Sequence, residues 1–265
     1  MTLPLDVLRA DTVRPALPPL PRLDALVVGG GGALGSLVLE MLLARRRAGR
    51  VRVLVTQPLR AAFDGLDALI VPSFDGPPPE TTLAETALVV FDRVRHANGR
   101  ENAFLRPAPE SLPALARWLR GVGVRHLMVV LPIDPAGAPL ALRAGLANLD
   151  EHQVASLGFE HVIFVRPAHA PARPSAERWL QRLADAVLAQ LRLMLPASQQ
   201  PVRSRQVAAW VVELAVQLPG SPPGTRVASP ELVWQAAQGG DGRALAEAWL
   251  AGRELPPLHA PRVRM

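Results

Sequence analysis

A doubly wound α/β fold is predicted for this chain: a parallel sheet of six to seven strands covered by helices, with a helical C-terminal portion. Three observations carry the prediction. Short apolar runs alternate with segments of helical periodicity, the pattern of a parallel sheet with crossover helices. The runs are apolar almost without interruption, as strands buried on both faces must be. A glycine-rich stretch, "ALVVGGGGALG" from Ala25 to Gly35, joins the first run to the first helix.

The elements follow in order. Asp24 to Gly29 reads as a buried strand. Leu34, Leu37, Val38, Met41 and Leu42 recur at helical spacing, so a helix is expected from Ala33 to about Arg47. Val51 to Val55, Asp67 to Val71 and Thr86 to Phe91 read as the second, third and fourth strands. A helix from Glu110 to Arg120 stops at "GVG", and Arg125 to Leu131 is the fifth strand. Leu140 to Leu157 reads as a helix capped by Gly158, and His161 to Val165 as the sixth strand. Beyond it the chain turns mostly helical: Ser175 to Leu195, Arg203 to Leu218, Pro230 to Gln238 and Gly242 to Gly252, with one short strand at Thr225 to Ala228. Residues 1–22, interrupted by five prolines, read as an arm without a core of its own. The expected organisation is that arm, a main domain over 23–218, and a C-terminal helical extension over 219–265 packed on it.

Composition narrows the chemistry. The chain has 265 residues, 49% of them hydrophobic, which suffices for a substantial core. It has no cysteine, which excludes disulfides, thiolate metal sites and cysteine nucleophiles. It has no tyrosine, and all 29 of its Lys-or-Arg positions are arginine. The net charge of +6 is spread along the chain, clustered only in "ARRRAGRVR" (Ala44 to Arg52), which argues against a nucleic-acid partner. With no signal-peptide pattern and no run of about 18 apolar residues, a cytoplasmic protein without a membrane partner is expected. The five tryptophans all fall on expected helices, where packing is their ordinary use.

The glycines at 29, 32 and 35 fit G-x-x-G-x-x-G between a strand and a helix. A tight turn there needs backbone angles that glycine adopts cheaply. A missing side chain lets the backbone approach a pyrophosphate, and the free N–H groups and dipole of the helix start favour its charge.

Over roughly residues 24–218 the chain resembles the atypical short-chain dehydrogenase/reductases. These are extended Rossmann-type NAD(P)-binding proteins, and the similar branch contains the Tat-interacting-protein-like oxidoreductases. The pieces that carry the resemblance come in order: "ALVVGGGGALGSLVLEMLLA", "VRVLVTQPL", "LIVPSFD", "ANGRENAF", "GVRHLMVV" and "LGFEHVIFVRPA". The resemblance implies that Gly29, Gly32 and Gly35, with Ala33 and Leu34, face the pyrophosphate. It implies that Asp75 contacts the adenine edge and that Thr56 and Gln57 lie beside the adenosine ribose. An acidic residue at that place would select NAD through the ribose 2′-hydroxyl. None stands there, and Arg60 is the nearest arginine downstream, so NADP is favoured over NAD.

The family's hydride chemistry uses a Tyr-x-x-x-Lys pair and a Ser or Thr. Counting back from Leu157–Phe159, the tyrosine's place falls on Arg143 and the lysine's on Ala147, and neither residue type occurs anywhere in the chain. The serine's place reads Leu131, Pro132, Ile133, Asp134. After the fourth strand, where the family has a Gly-Thr turn near the cofactor, stand Asp92 and Arg93. A carboxylate there opposes a pyrophosphate unless paired, and Arg93 or Arg95 could neutralise it. Arginine is too basic to replace the tyrosine as a proton donor. Of the six histidines, His126 and His161 stand at strand starts and read as structural; His169, after "RPA", is the candidate acid or base. The spacing of His, Asp and Glu suggests no metal site.

The expectation is an NAD(P)-binding, short-chain-dehydrogenase-like protein without the standard dehydrogenase machinery, a pseudoenzyme with a binding, sensing or regulatory role. Two other readings stand beside it. One is an active NAD(P)-dependent oxidoreductase with a rearranged site. The other is a structural protein that docks a protein partner or a second copy of itself through the helical C-terminal third and "GRELPPLHAPRVRM".

Overall fold

The computed structural model describes residues 23–45, 48–59, 64–71, 74, 81–92, 101–132, 149–168, 202–238 and 241–256. Seven parallel strands form one sheet: β1 (Leu23–Val28), β2 (Ala48–Val55), β3 (Leu66–Ile70), β4 (Thr86–Val90), β5 (His126–Val130), β6 (His161–Val165) and β7 (Gly224–Ala228). Their order is β3-β2-β1-β4-β5-β6-β7. The chain starts in the middle, runs outward to one edge, and returns to run outward to the other. That reversal, between β1 and β4, is the topological switch point where doubly wound folds place their ligands. The fold is Rossmann-like, as the sequence pattern predicts.

Among the described residues the helices are α1 (Ala33–Ala44), α2 (Leu112–Gly121), α3 (Leu149–Ala155), α4 (Ser204–Gln217), α5 (Pro230–Gln238) and α6 (Gly242–Leu250). Side chains alternate between the faces of a strand, and that alternation divides the core. Ala25, Val27, Val53, Leu88, Met128 and Ile163 point to the face covered by α1, α4, α5 and α6. Leu26, Val28, Leu54, Val89, Leu127 and Phe164 point to the face covered by α2 and by Val154 of α3. Both faces of the central strands β1, β4, β5 and β6 are buried, which explains why these strands read as nearly continuous apolar runs. On α1 the buried stripe is Leu34, Val38, Leu39 and Leu42; each such side chain stabilises by about 1.5–3 kcal/mol when fully buried.

Boundaries shift by a few residues from the expected ones. The α1 helix ends at Ala44, because Arg45 is already extended, and β2 starts at Ala48, three residues early. The helix expected from Glu110 opens instead as a 3-10 turn, Pro109–Ser111, before α2 begins at Leu112 with a proline in its first turn. The described part of the helix expected over Leu140–Leu157 is α3. The short strand expected after residue 218 is β7, which pairs in register with β6 from His161↔Gly224 to Val165↔Ala228. Residues 1–22, the expected helix Ser175–Leu195, and positions Asp75, Arg143, Ala147 and His169 lie outside the described residues. No helix among the described residues is long and apolar enough to cross a membrane.

Candidate functional site

The glycine loop leaves β1 at its C-terminal end and enters α1. Gly29 has φ +88°, a left-handed conformation costly for any residue with a side chain. A Cβ on Gly29 would sit 2.0 Å from the Val90 carbonyl oxygen, and one on Gly35 would sit 2.0 Å from the carbonyl oxygen of Gly29. These two glycines are therefore required by the packing of the turn against β4 and of α1 against the turn. Gly32 differs. A Cβ there would stand 2.6 Å from both Cβ and Oδ2 of Asp92, so the bare face of Gly32 is turned toward a side chain.

Asp92 follows β4 and reaches across the switch point. Its Oδ2 accepts a hydrogen bond from the Leu34 N–H. Gly32 is the N-cap of α1 and has no side chain to cap with, and the first turn contains no acidic residue. A free N–H at the positive end of a helix dipole is thus satisfied by a carboxylate from another strand. The arrangement is that of an anion held by a helix start, with the anion supplied by the protein itself.

Residues 102–107 complete the surroundings. The Leu105 carbonyl accepts from the Gly29 N–H at 3.2 Å, and the Leu105 N–H donates to the Leu54 carbonyl at 3.0 Å. Phe104 makes an antiparallel bridge with Val55. The segment therefore lies over the ends of β1 and β2. Thr56 is exposed at the end of β2; its N–H donates to the Ala103 carbonyl at 2.7 Å, and its hydroxyl faces the Asn102 and Ala103 carbonyls at 3.4 and 3.3 Å. Gln57 beside it is exposed. The space left among Gly29, Gly31, Gly32, Val90, Asp92, Arg106 and Pro107 is about 20 Å³. Sites that enclose a drug-sized ligand measure roughly 300–1,000 Å³. In this arrangement Asp92 engages the Leu34 N–H, and Pro107 lines the same small space as the glycines.

Of the residues expected at the site, the structure brings together Gly29 and Gly32 of the loop with Ala33, Leu34 and Gly35 of the first turn of α1, and Thr56 and Gln57 at the neighbouring strand end. Asp75 and His169 lie outside the described residues, as do Arg93 and Arg95. Arg106, which the sequence did not single out, lines the same space as Asp92 and donates to Asn102 Oδ1 at 3.3 Å. It stands four residues beyond "REN", in a segment with no periodicity to place it.

Two further polar clusters lie elsewhere on the sheet. Arg166, at the C-terminal end of β6, forms a fully buried ion pair with Glu151 of α3. At the N-terminal end of the strands, opposite the glycine loop, His126 and His161 begin β5 and β6 and stand directly across from each other in register. Their Nδ1 atoms are 2.9 Å apart, and His161 Nε2 lies 3.0 Å from the Ser221 carbonyl oxygen. A carbonyl can only accept, so His161 carries its proton on Nε2 and offers a lone pair at Nδ1, to which His126 Nδ1–H donates. Burial, reinforced by the neighbouring His161, pushes the His126 imidazole down to about 4. Next to them Glu160 accepts two bonds on Oε1 from Arg125, at 2.8 and 2.5 Å; those bonds hold its carboxyl below the ordinary range. The two histidines are 35 residues apart, so no linear spacing showed this cluster. Their shared position as first residue of a strand was the legible clue.

No protein-family model matches the chain, and no curated protein sequence matches it. Among solved structures the chain is similar to the Bordetella bronchiseptica enzyme WbmG in complex with NAD and UDP, at 14% identity over 92% of this chain and 83% of that one, with a TM-score of 0.46. It is similar to the WbmH enzyme of the same organism in complex with NAD+, at 13% identity over 80% and 79%, with a TM-score of 0.43. A short-chain dehydrogenase/reductase superfamily protein from Agrobacterium tumefaciens with bound NAD matches at 16% identity over 77% of each chain, with a TM-score of 0.41. Likeness of this degree concerns the arrangement of strands and helices alone.

Proposed function

We propose that this chain is a nicotinamide-dinucleotide-binding module of the short-chain-dehydrogenase kind. In this reading it does not carry out the standard hydride transfer and acts by binding or regulation. The observation that carries the reading is the Asp92 carboxylate at the start of α1. The glycine loop has the backbone of an anion site, and Asp92 is the internal occupant a dinucleotide must displace. Once Asp92 swings away, the first-turn N–H groups, including that of Leu34, face the place a pyrophosphate takes in such loops. Only the fraction of molecules with Asp92 displaced is competent, and the apparent affinity falls by that fraction.

The absence of tyrosine and lysine from the whole chain supports the second half of the proposal. The standard proton relay needs a phenol whose pKa a nearby ammonium lowers, and neither group exists here. At the end of β2, Thr56 and Gln57 supply no carboxylate to select the free ribose 2′-hydroxyl, which favours NADP(H).

Isothermal titration of the wild type and of Asp92→Gly with NAD+, NADH, NADP+ and NADPH tests the proposal. The expected result is feeble binding by the wild type and at least about tenfold tighter binding by the variant, a gain of about 1.4 kcal/mol. No heat from either protein at millimolar ligand overturns dinucleotide binding. Equal affinities overturn the role of Asp92.

A further inference from the structure

We propose that His126, Glu160 and His161 form a three-ligand site for a divalent transition-metal ion of the zinc kind, at the N-terminal end of the strands, opposite the glycine loop. The parallel register of β5 and β6 places the two imidazoles side by side, and the residue preceding His161 supplies the carboxylate. One donor atom from each residue lies within 4.8 Å of the others.

The donor set is two imidazoles and one carboxylate, a combination that zinc takes readily with a fourth position left for water. Bond lengths of about 2.1 Å in a tetrahedral shell put donors about 3.4 Å apart. The histidine Nδ1 atoms at 2.9 Å need to separate slightly, and the carboxylate needs to approach by up to about 1.4 Å, within the reach of a surface Glu side chain. The second shell is in place. His161 Nε2–H donates to the Ser221 carbonyl, which fixes the ring and directs the Nδ1 lone pair at the site. For His126 to ligate through Nδ1, its proton moves to Nε2. The tautomer changes and the number of protons does not.

Arg125 is the competitor. Both of its hydrogen bonds to Glu160 end on Oε1, which leaves Oε2 for a metal. Its guanidinium also lies 3.9 Å from Glu85, so its charge stays compensated when Glu160 turns toward an ion. The remaining cost is repulsion between Arg125 and the ion, which sets the direction of one test.

Untagged full-length protein, treated with chelator and dialysed, is titrated with Zn2+ by calorimetry and with Co2+ by visible absorption. One equivalent should bind, with the intense d–d bands of a low-coordinate Co2+ site. Glu160→Gln, at an exposed position, should weaken binding by at least about tenfold while leaving the circular dichroism unchanged. Arg125→Ala should tighten it several-fold, a change that a merely structural histidine pair does not produce. His126→Asn should abolish the Co2+ bands in protein that remains folded. Failure of the wild type to take up a near-stoichiometric ion overturns the proposal, as does binding indifferent to Glu160→Gln and Arg125→Ala.

Discussion

The Asp92 carboxylate accepts a hydrogen bond from the Leu34 N–H, joining the end of β4 to the first turn of α1 across 58 positions of sequence. This is a helix cap made by tertiary structure, and it should be worth what caps are worth. Asp92→Ala should destabilise the protein by about 1 kcal/mol, and Asp92→Asn, which keeps the acceptor oxygen, by less. Urea denaturation of the three proteins checks the order. A more stable Asp92→Ala would mean that the carboxylate is held there against its own preference.

The glycines should separate by role. Gly29→Ala and Gly35→Ala each drive a methyl against a backbone oxygen at 2.0 Å, and should cost clearly more than about 1 kcal/mol whether or not a dinucleotide is present. Gly32→Ala meets first the movable side chain of Asp92, at 2.6 Å. Its cost should largely vanish in the Gly32→Ala, Asp92→Ala double variant. A double-mutant cycle with no coupling between positions 32 and 92 would contradict the contact.

The Arg166–Glu151 pair is fully buried. Removing one partner leaves the other charge in a medium that solvates it poorly, so Glu151→Ala should cost about 3–5 kcal/mol. Chemical denaturation measures it. A cost near zero would show that water reaches the pair in the native state.

Stability should fall on acidification because of His126. Its folded value near 4 lies below its ordinary 6.5, so the unfolded chain binds more protons between those limits. Each step down from about pH 6.5 to about pH 4 then favours unfolding, by about 3 kcal/mol in all, with no contribution above that window. The groups facing the ring are His161, Glu160 and Arg125. Denaturation midpoints of chelator-treated protein across the window, compared with His126→Asn, isolate the effect. An unchanged pH profile in the variant would refute it.

Much of the fold was legible because parallel strands buried on both faces leave an unambiguous mark. "LDALVV", "TALVV", "HLMVV" and "HVIFV" are apolar at nearly every position, and all became strands. Helix ends were less legible, since Arg45 and Pro109 respond to local backbone geometry that periodicity does not register. At the site the glycine loop could be placed, and Asp92 could be named as the residue opposing it, because both depend on strand order. The direction of the Asp92 side chain could not, nor could the segment 102–107 lying across the strand ends. Those are contacts between residues dozens of positions apart with no repeating pattern. The pairing of His126 with His161 was hidden for the same reason: register, not spacing, brings them together.

The position of β7 has a consequence for the chain as an assembly hazard. All five residues of β6 are buried, and β7 lies along it, latched by the Gly224 N–H on the Glu160 carbonyl and by the Arg166 N–H on the Ala228 carbonyl. Being short, led by a glycine and carrying Arg226, β7 makes a poor template for a further strand. A chain cut before residue 224 would lose that guard and present the apolar rim of β6, with its open row of N–H and C=O groups, to any neighbour able to extend the sheet.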